Sequence, residues 1–299
     1  MSEANAYQHQ PVLLTASVDQ LVTDPDGTYV DITYGGGGHS RMILSWLSDK
    51  GRLIAFDRDE TVTGQLIDDP RFTFIQADFR YLKKYLRYYR ISSLHGILAD
   101  LGLSSHHLDT AGRGFSYFSS MPLDMRMNKR QRLTAAHVIQ EYSEKNLMQV
   151  FAEYGELTNA RQMAAALVRE RQKRVFRSCL EFAQWSESFA YGKKQKFLAQ
   201  AFQAIRMEVN HELDSLKLLL SQSGEVLMKG GRLVVISYHS LEDRLVKNWI
   251  KNGSLDENES GEKIPAFQSL HKHAIKPEED EIKFNSRSRS AKMRVAIKL

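Results

Sequence analysis

Four aspartates close four apolar runs. Asp31 follows Thr28-Tyr29-Val30, Asp57 follows Arg52–Phe56, Asp78 comes shortly after Phe72–Ile75, and Asp100 follows Ile97-Leu98-Ala99. Between the first two stands Gly35-Gly36-Gly37-Gly38-His39. Consecutive glycines add nothing to a core and lose more backbone entropy on ordering than any other residue. Their use is a tight turn, or the close approach of another group to the main chain. An apolar run ending in an acid, then such a turn, then an apolar-periodic stretch (Met42, Ile43, Trp46, Leu47) is the pattern of a strand–loop–helix nucleotide site.

Two cofactor classes use that pattern. Asp57 lies 22 residues beyond Gly35, near the roughly 20 expected of an acid that grips ribose hydroxyls, and both classes share that feature. The glycine loop separates them. A dinucleotide site needs Gly-x-Gly-x-x-Gly so that pyrophosphate reaches the helix start. Gly36 and Gly38 can begin that motif, but Arg41 then occupies the third glycine position. Asp31, four residues before the loop, repels pyrophosphate but can accept hydrogen bonds from an ammonium group. S-adenosyl-L-methionine carries an ammonium and no phosphate, so the residues favour the methyl donor over nicotinamide. A glycine-rich turn with no ligand is the bland alternative. Phe79, beside Asp78, is either an apolar wall for an adenine or a plain core aromatic. Asp100 falls beside the expected position of the donated methyl.

The elements that must position these residues alternate along the chain. Apolar runs at Thr28–Ile32, Arg52–Asp57, Phe72–Ile75 and Ile97–Asp100, separated by helical segments such as the one starting over Arg41–Leu47, predict an α/β fold. Its sheet is parallel with helices on both faces. Ligands of such sheets bind beyond the carboxyl ends of the strands. Residues 133–222 are rich in Ala, Leu, Gln, Glu and Lys and contain no proline, with helical spacing in Leu133–Glu141, Glu144–Tyr154, Asn159–Lys173 and about Lys196–Leu220. This is a helical insertion. The spacing then predicts a buried strand over Gly231–Ser237, a polar loop over 253–282 and a half-buried final strand over Ala291–Leu299.

The bulk composition narrows the classes further. The chain has 299 residues, 42% of them hydrophobic, a net charge of +5 and a single cysteine, Cys179. One cysteine excludes an internal disulfide and a cysteine-based metal cluster, and no metal is expected. The first residues lack the basic-then-apolar order of a signal peptide, and no stretch approaches the roughly 20 apolar residues of a membrane helix. The expectation is a cytoplasmic protein without a membrane partner. Basic residues gather at Lys129–Arg132, Arg169–Arg177, Lys193–Lys196 and Arg287–Arg294. These are either solvated helix faces or a phosphate-binding surface.

Taken in order, the motifs resemble the RsmH (MraW) family of bacterial ribosomal RNA methyltransferases. The resemblance runs from His9-Gln10-Pro11-Val12-Leu13-Leu14 through Asp31–Ser40, Ala99-Asp100-Leu101-Gly102-Leu103-Ser104-Ser105, Arg113–Ser116 and Pro122–Met127. It continues in Phe202–Arg206 with Val209-Asn210, Gly230–Leu233, Ile236–Arg244 and Ser286–Arg294. It implies a class I S-adenosylmethionine-dependent methyltransferase fold, Rossmann-like, over residues 1–105 and 215–299. It also implies an inserted helical substrate-recognition domain over 106–214. The activity it implies is N4-methylation of one cytidine in the decoding region (P-site region) of 16S ribosomal RNA. The substrate is then 16S ribosomal RNA within the small ribosomal subunit, and the resemblance leaves a homodimer open. Carried over by position, the donor contacts are Gly37, Gly38, His39, Asp57, Phe79, Asp100 and His107. Members have Gln where this chain has His107, but imidazole can also donate or accept a hydrogen bond. Members also carry His-Pro-Ala-Thr-Arg where this chain has Lys196-Phe197-Leu198-Ala199-Gln200, so an arginine contact in the insertion is missing.

A cytosine amino group is a poor nucleophile because its lone pair is delocalised into the ring. An oxygen accepting one of its hydrogens helps, and Asp100 or a neighbouring backbone carbonyl is placed for that. The target base must also leave its stack. Phe115, Tyr117, Asp124, Arg126, Tyr238 and His239 are candidates to receive it, although Asp124 and Arg126 can equally pair with other side chains. Ser240-Leu241-Glu242-Asp243 fits a helix capping box. Gln203, Arg206 and Asn210 share one helix face and are either a cytidine contact or a polar network within the insertion. Competing readings are another nucleic-acid methyltransferase, a catalytically silent RNA-binding assembly factor and, more remotely, a dehydrogenase.

Overall fold

The computed structural model describes residues 11–102, 113–253 and 265–299. Their packing divides the chain into two compact units, residues 1–102 with 215–299, and residues 103–214.

The first unit is built on one seven-stranded sheet. In chain order its elements are α1 (Leu14–Leu21), β1 (Thr28–Asp31), α2 (Gly38–Trp46), β2 (Arg52–Asp57), β3 (Phe72–Gln76), α3 (Leu82–Tyr88) and β4 (Leu94–Asp100). The strand order is β3-β2-β1-β4-β5-β7-β6. Here β5 is Leu227–Ser237, β6 is Phe267–Ser269 and β7 is Lys292–Lys298. The first five strands are mutually parallel, and β7 and β6 add antiparallel. Both faces are covered, which is why the central strands read as unbroken apolar runs. Val30, Ile54, Phe56, Ile97 and Val235 face one core together with Leu216, Leu219 and Leu220. Tyr29, Leu53, Leu98, Val234 and Val295 face the other with Leu21 and Ile43. The order reverses beside β1, where β2 lies on one side and β4 on the other, so the crevice of such a sheet opens at the ends of these strands.

The second unit is helical. It contains α4 (Ala135–Glu141), α5 (Glu144–Gln149), a π-helical turn over Val150–Tyr154, α6 (Ala160–Glu170), α7 (Cys179–Ser186) and α8 (Lys194–Asn210). The unit boundary falls within the next helix, α9 (Glu212–Val226). Serine and threonine caps start the short helices: Thr134, Ser143 and Ser178 each accept an amide from the first turn. Phe151, Phe182, Phe202 and Met163 fill this unit's own core.

Several boundaries differ from the sequence expectation. Helix α2 begins at Gly38, inside the glycine run, rather than at Arg41. The helices expected over about Lys196–Leu220 are α8 and α9, divided where His211 adopts a left-handed conformation (φ 49°) and ends α8. The polar segment 253–282 is not wholly a loop: it contains β6, whose edge position needs only three residues.

Candidate functional site

The carboxyl ends of β1, β2 and β4 bring Asp31, Asp57 and Asp100 to one edge of the sheet, and Thr33 joins two of them. Its hydroxyl oxygen accepts from the Asp100 amide at 2.8 Å and donates to Asp31 Oδ1 at 3.4 Å. Asp31 is 1% exposed, and its other carboxylate oxygen accepts the Ser40 hydroxyl at 2.7 Å. Burial pushes its carboxyl above the ordinary range, opposed by His39 and the Ser40 hydrogen bond. His39 is buried, with Nε2 3.2 Å from the Val12 carbonyl and Nδ1 4.0 Å from Asp100 Oδ2.

Asp100 differs from Asp31 in access, for 21% of its side-chain surface stays open. Loss of hydration raises its carboxyl. His39, the Tyr238 hydroxyl and the Gly102 amide stabilise the charged form, while Glu242 opposes it. Gly102 lets Tyr238 come this close: a Cβ there would lie 2.7 Å from the Tyr238 ring. Burial, helped by the neighbouring Asp100 and Glu242 carboxylates, pushes the Tyr238 phenol well above its usual range.

The glycine loop turns between β1 and α2. Gly37 sits at φ 75° and caps α2, and its amide closes the turn onto the Tyr34 carbonyl at 2.7 Å. Gly38 has a different reason to be glycine, since a Cβ there would stand 2.2 Å from Pro11 Cγ. Gly36 is exposed, and a Cβ there would meet nothing within 4 Å. Asp57 anchors the loop from the next strand: Oδ2 accepts the Gly35 amide and Oδ1 the Asp59 amide, both at 2.8 Å. Phe79 starts a 3-10 turn and is half-buried against the core beneath α3. Asp78 caps that turn and pairs with Arg58 at 3.3 Å and Arg80 at 3.2 Å. His107 lies outside the described residues.

His239 is the N-cap of α10 (Ser240–Asn252), and its Nδ1 accepts the Glu242 amide at 3.4 Å. Glu242 is 3% exposed and reaches back to the Tyr238 amide at 2.9 Å. The capping box expected from Ser240 to Asp243 is thus shifted by one residue. Serine is the better-known cap, but imidazole can also accept an amide, and here it does.

The remaining candidates lie in the helical unit. Phe115 and Tyr117 pack half-buried on its core, Tyr117 edge-on to Phe202 at 5.8 Å between ring centroids. Asp124 and Arg126 form a bidentate pair with both contacts at 2.8 Å, and Arg126 also donates to the Lys129 and Gln131 carbonyls. Arg126 holds the Asp124 carboxyl below its ordinary value. Gln203 donates to the Tyr154 carbonyl at 3.1 Å, and Arg206 grips Glu212 through two contacts of 2.9 Å. Asn210 is 1% exposed; it accepts the Met127 amide at 2.8 Å and donates to the Met125 and Arg206 carbonyls. The shared face of Gln203, Arg206 and Asn210 therefore carries a polar network inside its own unit. Tyr238, which the sequence offers only as a residue that could meet the base, is the hydrogen-bond partner of Asp100. No sequence spacing pairs β4 with β5, so that contact had no signal.

A mostly parallel sheet with acids ending β1, β2 and β4 and a glycine turn leading into α2 is the Rossmann-like architecture of class I methyltransferases. Comparison with known sequences gives the family. The profile of the MraW methylase family matches residues 6–299, and the chain belongs to that family. Ribosomal RNA small subunit methyltransferase H of Bacteroides fragilis (strain YCH46) is 48% identical over 303 residues, covering 100% of both chains. The proteins of the same name from Flavobacterium psychrophilum and Flavobacterium johnsoniae are 49% and 47% identical. They cover 96% and 97% of this chain and 100% and 98% of their own. A solved rRNA methylase from Streptococcus thermophilus is 13% identical with a TM-score of 0.38, covering 95% of this chain and 92% of that one. The methyl donor of this methylase is S-adenosyl-L-methionine. The residues fit it: a buried carboxylate, Asp31, stands behind the loop, and exposed backbone at Gly36 leaves room for a ligand.

Proposed function

We propose that the protein transfers a methyl group from S-adenosyl-L-methionine to the N4 amino group of one cytidine in the decoding region of 16S ribosomal RNA. Membership of a methylase family and the names of its relatives support the RNA substrate. The arrangement around Asp100 supports the chemistry and is the observation that carries this reading.

The bound donor supplies a methyl on a sulfonium, which is already electrophilic. The protein's task is to hold the acceptor nitrogen in line with it. Asp100 has open surface and a carboxylate whose hydration has been replaced by fixed dipoles. We assign it to accept one amino hydrogen, which localises the nitrogen lone pair, and then to take the proton. Tyr238 holds that carboxylate in place by donating its hydroxyl. Gly37, Gly38, Asp57 and Phe79 are assigned to the donor, with Asp31 and His39 setting the charge behind it. We assign recognition of the RNA to the helical unit, where the exposed Lys129 and Arg130 flank the loop that Arg126 organises. A substrate in the small ribosomal subunit places the protein in the cytoplasm.

Mass-spectrometric mapping of modified cytidines tests this. Ribosomal RNA from cells lacking the protein should lose one N4-methyl group in the decoding region, and the purified enzyme should restore it. An unchanged cytidine pattern refutes the assignment. Methylation of DNA in preference to small-subunit RNA would favour the broader nucleic-acid reading.

A further inference from the structure

One surface of the first unit is not used by the chemistry above. Helix α3 buries Leu82 and Leu86. On its outer face Tyr81, Lys84 and Tyr88 stand at i, i+3 and i+7, which is one stripe of a helix. Tyr81, Tyr88 and Tyr89 are 51%, 77% and 44% exposed, and Tyr88 meets Tyr89 edge-on at 5.1 Å. The exposed Arg87 and Arg90 lie beside the stripe, and the pairing of Leu94 with Leu227 brings the exposed Lys229 to the same end of the sheet.

Three observations indicate what this surface meets. First, its charge is unbalanced. Among the described residues Lys84, Arg87, Arg90 and Lys229 have no ion-pair partner, whereas the nearby carboxylates Glu225 and Asp26 are taken by Lys83 and Lys50. Second, a merely solvated basic face has no need of tyrosines, and Tyr88 is 77% exposed. Third, Arg90 ends the helix at φ 58°, with its amide on the Arg87 carbonyl and the Ile91 amide on the Leu86 carbonyl. That position suits glycine or asparagine better, yet it carries a guanidinium. Cations interleaved with exposed rings form the arrangement that holds single-stranded nucleic acid, by backbone attraction and base stacking.

We propose that the α3 surface binds a single-stranded segment of RNA, as an anchor separate from the methylated base. The proposal rests on the RNA-methyltransferase reading and extends it. Strand β4 runs from Leu94, at the anchor end, to Asp100, a rise of about 20 Å at roughly 3.3 Å per residue. The substrate must therefore reach across the height of the sheet, which a folded RNA does and a nucleotide does not.

The test compares the full-length protein with Tyr88→Ala/Tyr89→Ala and with Lys84→Glu/Arg87→Glu/Arg90→Glu, using a labelled polyuridine strand of about 20 nucleotides, longer than the site of a typical single-strand binding fold, and small-subunit RNA as probes. Titration with S-adenosyl-L-methionine checks that each variant keeps its fold, and Tyr88→Trp serves as the conservative replacement. The tyrosine pair should weaken binding of the polyuridine strand about tenfold or more. The charge reversals should flatten the salt dependence by roughly 0.7 in logarithmic slope for each phosphate that is no longer neutralised. Tyr88→Trp should bind as the parent does. Unchanged affinity and slope in both variants overturn the anchor, as does weakened binding to the protein-bearing subunit with full affinity for naked RNA, which would indicate a protein partner. Failure of the parent enzyme to methylate small-subunit RNA would strike the functional reading instead, and the binding assay reports independently of it.

Discussion

Gly36 and Gly38 are two residues apart in one loop, and the structure gives them opposite sensitivities. In Gly38→Ala the new Cβ would lie 2.2 Å from Pro11 Cγ and 3.0 Å from Cδ. Carbon contacts are optimal at about 3.5–4.0 Å, so the proline ring or the loop must move by roughly 1.5 Å. Overpacking of that kind costs about 1–3 kcal/mol. Alanine returns up to about 1 kcal/mol through helix propensity at the start of α2. The net loss is about 1–2 kcal/mol, or roughly 2–8 °C of melting temperature for a unit of this size. Gly36→Ala meets nothing and requires no positive φ, so it should keep or slightly raise stability. If the exposed Gly36 backbone faces the donor, the same substitution should still weaken S-adenosyl-L-methionine binding, by about tenfold. Thermal unfolding without ligand, paired with calorimetric titration of the donor, separates the two effects. Pro11→Ala combined with Gly38→Ala should recover most of the lost stability in a double-mutant cycle. A Gly38→Ala protein that melts with the parent, or a double variant that recovers nothing, would refute the steric argument. Full donor affinity in Gly36→Ala would remove that residue from the site.

Three further outcomes follow from the same geometry. Burial raises the folded-state pKa of Asp100, so its contribution to stability is present at acid pH and is lost as pH rises through the folded value. Asp100→Asn should accordingly melt above the parent near pH 7 with the advantage fading toward pH 4, while methyl transfer drops at least about 100-fold; equal melting at both pH values, or retained turnover, contradicts this. Tyr238→Phe keeps the ring against Gly102 but removes a hydrogen bond that lowers the Asp100 pKa. The acid limb of the pH–rate profile should shift to higher pH, and a parent-like profile would show that Tyr238 only packs. Asn210→Ala strands the Met127 amide and the Met125 carbonyl in a buried setting, a loss of about 3 kcal/mol at about 1–3 kcal/mol per orphaned group. Thermal or urea unfolding should show it, and a change below about 0.5 kcal/mol would mean that water replaces the side chain.

The sheet was legible because its strands are buried on both faces and so read as continuous apolar runs ending in acids. Asp31, Asp57 and Asp100 fell where they were expected for that reason. What was hidden depends on contacts between segments distant in sequence. Nothing near Gly38 announces Pro11, and nothing near Asp100 announces Tyr238. The cap of α10 fell on His239 rather than Ser240 because the turn is set by where β5 ends. Within the helical unit, Gln203, Arg206 and Asn210 were recognisable as one face from their spacing. That face meets backbone groups at Met125, Met127 and Tyr154, which no side-chain pattern reports. The stripe on α3 was not among the basic runs the sequence singled out, because only the exposure of its tyrosines distinguishes it from an ordinary helix.

The position of Asp31 explains why this glycine loop suits a cationic donor. The start of a helix after a glycine turn ordinarily attracts phosphate, because free amides and the helix dipole both present positive potential there. Here Ser40, in the first turn of α2, donates its hydroxyl to Asp31 at 2.7 Å. The protein's own carboxylate thus already answers the helix end, and a phosphate arriving at the same place would meet a buried negative charge in a poorly hydrated setting. A sulfonium or ammonium group meets the reverse. The cost of burying Asp31, seen in its raised pKa, is offset when such a cation arrives. On the proposed reading, the residues that hold the loop in shape also select the sign of charge that enters it.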